Sequence, residues 1–159
     1  MRKSVKNLPE EYALFQELMD RIPDVVYFKD KSGKLIWVNR AHADGLGLEP
    51  KDVIGRTDFD FFPKKTAEKM VQDDALVFNT GKPVLDKVER ATKGDNYVST
   101  TKIPRFDEKG RVIGLMGITR DITRRIQFEN LSKEKDQIEK KLKTLEELNQ
   151  MKSEFVSVV

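Results

Sequence analysis

The sequence predicts an α+β domain: a five-stranded antiparallel sheet with its helices on one face, framed by an N-terminal amphipathic helix and a long C-terminal coiled-coil helix. Three observations carry this. Segments rich in β-branched and aromatic residues fall as two, then three, around an intervening helical stretch. The connections within each group, Asp30-Lys31-Ser32-Gly33, Lys93-Gly94-Asp95-Asn96 and Asp107-Glu108-Lys109-Gly110, have the composition of hairpin turns. From about Arg124 onward the chain has neither proline nor glycine and is dense in Lys, Glu, Gln and Leu, which favours one continuous helix.

The elements follow in order. Over residues 8–22, Leu8, Tyr12, Phe15, Leu18, Met19 and Ile22 recur at helical spacing. Asn7 serves as the expected N-cap, with Pro9 in the first turn, where a missing N–H costs nothing, and Glu10 three residues after the cap. Residues 25–28 and 34–38 form the first hairpin. A short helix over 41–46 stops at Gly47, and a single turn is expected within Glu49-Pro50-Lys51-Asp52-Val53-Ile54-Gly55. Residues 66–79 make the substantial internal helix, with Ala67, Met70, Val71, Ala75, Leu76 and Phe78 as its apolar positions and Gly81 as its stop. Strands at 84–92, 97–106 and 111–122 complete the sheet. Val112-Ile113-Gly114-Leu115-Met116-Gly117-Ile118 is apolar without alternation, which predicts a strand covered on both faces. The N-terminal helix or the start of the C-terminal one is the expected cover, and Gly114 and Gly117 are expected to admit a close approach of backbone or ligand, or to mark a bulge.

Composition narrows the function. A chain of 159 residues, 38% hydrophobic and 36% charged, suits one core plus a helix that needs little burial. Without cysteine, disulfides, thiolate metal sites, cysteine nucleophiles and photochemical cysteinyl adducts are excluded. The 30 basic and 27 acidic residues are interspersed and leave a net charge of +3, so no nucleic-acid partner is expected. No apolar run is long enough to span a bilayer, and Met1-Arg2-Lys3-Ser4-Val5-Lys6 leads into no hydrophobic signal stretch.

In the C-terminal helix, Leu131, Ile138 and Leu145 are seven apart and Leu142 takes the alternate position, a heptad signature. Such a stripe needs an apolar partner, most simply a second copy in parallel; the alternative is packing back on its own domain. Continuing the frame would bring Asn149 and Lys152 into the seam, whereas shifting it by one residue brings Leu148, Met151, Phe155 and Val158 there. We read this as a phase break.

Glu49-Pro50-Lys51-Asp52-Val53-Ile54-Gly55-Arg56-Thr57-Asp58-Phe59-Asp60-Phe61-Phe62-Pro63 resembles the central segment of PAS domains, and Asp121-Ile122-Thr123 resembles the Asp-Ile-Thr motif that closes them. This likeness spans residues 24–123. Leu148-Asn149-Gln150-Met151-Lys152-Ser153-Glu154-Phe155-Val156-Ser157-Val158-Val159 is similar to the stretch leading into the H-box of bacterial and archaeal sensor histidine kinases, where Ser-His-Glu would come next. The resemblance implies an N-terminal cap over residues 1–22, a PAS domain over 23–123 and a coiled-coil signalling helix over 124–159. It further implies a cytoplasmic sensory module that homodimerises through its C-terminal helix and passes a ligand- or partner-induced change to a kinase catalytic domain and a response regulator. A constitutive dimerisation module without ligand, or a sensor coupled to another output, stays open.

Candidate residues follow. For signal transmission they are Asp121, Ile122 and Thr123, at the junction where strand becomes helix and a carboxylate or hydroxyl can cap free N–H groups. For a small-molecule pocket they are Phe28, Trp37, Phe62, Phe78, Arg90, Ile103 and Met116, from expected inward positions. For the dimer they are Leu131, Ile138, Leu142, Leu145, Leu148 and Phe155. Of Glu89 and Arg90, at most one is expected to face the pocket, because neighbouring strand residues point apart. Asp58 and Asp60 are expected to cap a turn while the neighbouring phenylalanines pack inward. Tyr27 is expected in the core. No cofactor is expected. The lone His42 could ligate haem iron, but haem-binding PAS domains usually carry the ligand on the longer helix, which has no histidine here; non-covalent flavin stays open. No combination of nucleophile, base and oxyanion donors is visible, so this stretch is not expected to be an enzyme.

Overall fold

The computed structural model describes residues 8–92 and 94–158, which fall into two compact units divided between Asp121 and Ile122. In the first, α1 (Leu8–Arg21) precedes the hairpin of β1 (Val25–Asp30) and β2 (Leu35–Val38). Then come α2 (Arg40–Leu46), α3 (Pro50–Val53), a 3-10 turn (Asp58–Asp60) and α4 (Lys64–Thr80), followed by β3 (Val84–Arg90), β4 (Tyr97–Phe106) and β5 (Val112–Asp121). The sheet order is β2-β1-β5-β4-β3, antiparallel throughout, so the first and last strands meet at its centre. The expected Asn7 cap lies outside the described residues. The second unit is α5 (Thr123–Val158), a helix of 36 residues, about 54 Å long at 1.5 Å per residue.

Local chemistry explains the joints. Asn39, fully buried, caps α2 by accepting from the His42 N–H at 3.1 Å and accepts from the Val26 N–H at 3.0 Å. Its amide donates to the carbonyls of Met19 and Asp24 at 3.1 and 2.8 Å, so one side chain ties α1, β1 and α2 together with every polar valence used. At the other end of α2, Gly47 takes the left-handed conformation that lets the chain turn into α3. Thr57 and Asp60 form the reciprocal capping box of the 3-10 turn.

The core lies between the sheet and α2–α4, around Tyr27, Leu35, Val38, Ala43, Val53, Val77 and Leu115. The inward stripe of α4 runs Ala67, Asp74 and Val77, while Val71 and Leu76, expected on it, are exposed. On the opposite sheet face, Phe15 of α1 meets Trp37 at 5.6 Å between ring centroids, and Trp37 meets Phe28 edge-on at the same distance. Cover there is partial: Ile36, Ile103 and Ile113 remain exposed.

Both central-strand glycines admit close neighbours. A Cβ at Gly114 would collide with the Lys29 carbonyl, and one at Gly117 would overlap the hydroxyl end of the Tyr27 ring, which packs against the bare backbone. Gly117→Ala should therefore destabilise the fold by about 2 kcal/mol or more, read from urea unfolding, because the added methyl would push the Tyr27 ring off its seat on the backbone. An unchanged midpoint would show that the ring has room to move.

Candidate functional site

A cavity of about 240 Å3 lies between the inner face of the sheet and α2, the 3-10 turn and α4. Alternation along β1 and β4 sends Val25, Tyr27 and Lys29, and Val98, Thr100 and Lys102, to its wall, with Thr119 of β5 beside them. His42 and Leu46 of α2, Phe62, and Met70 and Asp73 of α4 close the other side. Glu89 and Arg90 of the edge strand β3 also line it. At most one of them was expected to face the pocket, yet both line it, Glu89 half-buried and Arg90 exposed and paired with Asp95 at 3.0 Å.

A buried chain of alternating charge crosses the wall. Lys29 pairs with Asp58 and, at 2.7 Å, with Asp74; Asp74 uses its second oxygen for Lys102, whose ammonium also donates to the Met70 carbonyl at 3.2 Å. All four residues are at most 6% exposed. Removing isolated ions from water costs several kcal/mol each, so this arrangement persists only because two lysines and two aspartates satisfy one another. Asp58 thus departs from its expected capping role, which falls to Asp60 alone; Phe59 is exposed, while Phe61 packs on the core.

A second string, Lys69–Glu89–Lys87–Asp73, runs along the β3 side. Burial opposes ionisation of Glu89, but hydrogen bonds from Lys69 and Lys87 outweigh it and lower its pKa. Burial likewise opposes the charge on Lys87, and hydrogen bonds to Asp73 and Glu89 outweigh it and raise its pKa.

Tyr27 is 8% exposed, with the Lys29 ammonium 5.4 Å from its ring centroid and the His42 ring against its edge at 5.5 Å. Burial, followed by the fields of Asp74 and Asp58, pushes its phenol well above 10. It remains a proton donor at any physiological pH. Burial and the nearby Lys29 charge lower His42 to about 4, so this imidazole is neutral, with Nδ1 buried and unpaired among the described residues. Among those residues, no group of three or more His, Asp or Glu side chains could hold a metal ion.

Of the residues expected in a pocket, Phe62 and Arg90 line this cavity. Phe28, Trp37, Ile103 and Met116 do come together, but on the other face: the register pairs Phe28 with Trp37 and with Met116, and Met116 with Ile103, in one row across β2, β1, β5 and β4. This corrects their expected inward orientation. Phe78 packs against the apolar core instead of lining the cavity. Sequence reasoning passed over Lys29, Lys102 and Asp74. The available signal was parity, since each lysine alternates with inward residues of its strand and Asp74 lies on the stripe joining Ala67 to Val77.

Asp121 ends β5 and accepts from the Asn96 amide at 3.3 Å; α5 begins at Thr123, with Ile122 between. Next to Asp121, Arg120 grips Asp24 through Nε and Nη2 at 2.9 and 2.7 Å, tying the end of β5 to the residue before β1. Along α5, Leu131, Ile138, Leu142, Leu145, Leu148 and Phe155 are all at least 51% exposed. Among the described residues, no helix is long and apolar enough to cross a membrane.

A family model described as the PAS fold matches residues 19–127. The methanogenesis regulatory histidine kinase FilI of Methanothrix harundinacea is 30% identical over 111 residues, covering 69% of this chain but 12% of FilI. The chain thus spans only a small part of this relative. A ligand and DNA complex of VqmA from Vibrio cholerae superposes with a TM-score of 0.58 at 28% identity, covering 72% of this chain and 50% of that one. The PAS domain of BvgS from Bordetella pertussis superposes at 0.60 with 22% identity, covering 82% of this chain and 99% of that domain, a likeness of fold.

Proposed function

The chain belongs to the PAS fold family, and from that premise we propose that it is the sensory module of a two-component histidine kinase, relaying an event in its cavity through a dimer of α5. The observation that carries this reading is the apolar stripe of α5, exposed along a helix that begins within two residues of the central strand of the sheet. A helix of this length with no buried side chain gains little from propensity alone, and pairing with a second copy supplies the burial it lacks.

The likeness to FilI favours kinase output over other outputs, and the cavity favours a ligand-responsive module over a constitutive dimeriser. In this reading, Asp121, Ile122 and Thr123 couple sheet to helix, and the partners in the full-length protein are the kinase catalytic domain and a response regulator. Native mass spectrometry should show a dimer for the chain and a monomer for Ile138→Asp, which would place a carboxylate in each side of the seam. A monomer for the unsubstituted chain would overturn the relay.

A further inference from the structure

The polar groups on the cavity wall are not all used. An ammonium has three protons, yet Lys29 has two partners and Lys102 has two, leaving one donor on each without a partner among the described residues. The Tyr27 hydroxyl, on a side chain more than nine-tenths buried, has none among them. Three donors therefore line the cavity on side chains at most 8% exposed, beside the His42 Nδ1, likewise unpaired among the described residues.

Charge, in contrast, is already balanced. Lys29 and Lys102 are matched by Asp58 and Asp74, Asp73 and Glu89 by Lys87 and Lys69, and Arg90 by Asp95. An ionic ligand would have to break one of these pairs or bring in an uncompensated charge. The apolar part of the wall, Val25, Leu46, Phe62, Met70 and Val98, suits a hydrocarbon body. An engineered cavity of about 150 Å3 holds benzene, so 240 Å3 admits a ring with a small substituent.

Building on the ligand-sensing reading above, we propose that the cavity takes a compact, uncharged ring compound whose carbonyl-type oxygen accepts hydrogen bonds from Tyr27, Lys29 and Lys102. The lysines act as donors with their charge already neutralised, which selects a neutral acceptor over a carboxylate of the same shape.

The test is a 1H–15N NMR titration of the whole chain with benzamide, benzoate and ethylbenzene, similar in size and differing in polarity and charge. Benzamide should shift the amides of Tyr27, Lys29, Thr100 and Lys102 and bind about tenfold tighter than either of the others. Tyr27→Phe should weaken benzamide about fivefold and leave ethylbenzene unchanged, a split that general loosening of the core would not produce. Val98→Phe, which fills the cavity, should abolish binding. Benzoate binding best, ethylbenzene binding equally well, or no probe shifting these amides overturns the proposal. Oligomeric state separates this from the relay: a dimer that ignores benzamide refutes the ligand class alone, and a monomer that binds it refutes the relay alone.

Discussion

Asp74→Ala should cost about 3–5 kcal/mol of folding free energy, the largest loss expected from a single side chain here. Asp74 is the only carboxylate touching both buried lysines among the described residues, accepting from Lys29 at 2.7 Å through one oxygen and from Lys102 through the other. Its removal leaves Lys102 with the Met70 carbonyl as its sole partner among the described residues and Lys29 with Asp58, two ammonium ions facing one carboxylate at no more than 6% exposure. A domain of this kind has about 5–15 kcal/mol to lose, so the variant should be largely unfolded well below the melting temperature of its parent. Guanidinium unfolding followed by circular dichroism measures the change. Asp74→Asn keeps the shape and an acceptor but not the charge, and should recover only part of the loss. A cost under about 1 kcal/mol would mean that water or a rearranged carboxylate replaces Asp74, and that the pairing is not what keeps the lysines inside.

Acidification from pH 7 to 4 should remove about 3 kcal/mol of stability through His42. The unfolded imidazole titrates near 6.5, whereas in the fold burial, followed by the charge of Lys29, lowers it to about 4. Below 6.5 the unfolded chain takes up a proton that the native state refuses. Stability therefore falls as pH drops through 6.5 and levels off only near 4, an interval worth about 3 kcal/mol. His42→Leu should flatten the profile across that window. Carboxylates whose pKa the fold lowers act in the same direction at the acid edge, Glu89 near and below 4.5 and Asp30, Asp60 and Asp107 near and below 3.8. Urea midpoints at half-unit pH steps for the parent and His42→Leu separate the two. Parallel curves between 6.5 and 4 would show that the native state accommodates the imidazolium.

The order of elements was legible because each depends on short-range chemistry. Gly47 and Gly81 end α2 and α4 in the left-handed conformation, and the polar turns join antiparallel neighbours as their composition predicts. The unbroken apolar run of β5 predicted cover on both faces; the strand lies at the centre of the sheet but its outer face is covered only in part, with Ile113 exposed, while its two glycines correctly signalled close approach, by the Lys29 backbone and the Tyr27 ring. The pocket was less legible. Large apolar residues were expected to face it, yet Phe28, Trp37, Ile103 and Met116 form the outer row, and the inward positions of β1 and β4 carry Lys29, Thr100 and Lys102. Hydrophobicity misleads where a second apolar face exists and the first encloses a polar site.

By itself the sequence determined the α+β class, the strand and helix sequence, the PAS resemblance and the apolar stripe of α5, because propensity, capping and periodicity act within a few residues of one another. Only the tertiary structure decided which side of each strand faces the helices and which charges meet. In a strand, a shift of one residue exchanges the two faces, so orientation depends on a register set by pairing across the sheet. Lys29, Asp58, Asp74 and Lys102 lie far apart along the chain, and what makes their burial tolerable is that the fold brings them to one another.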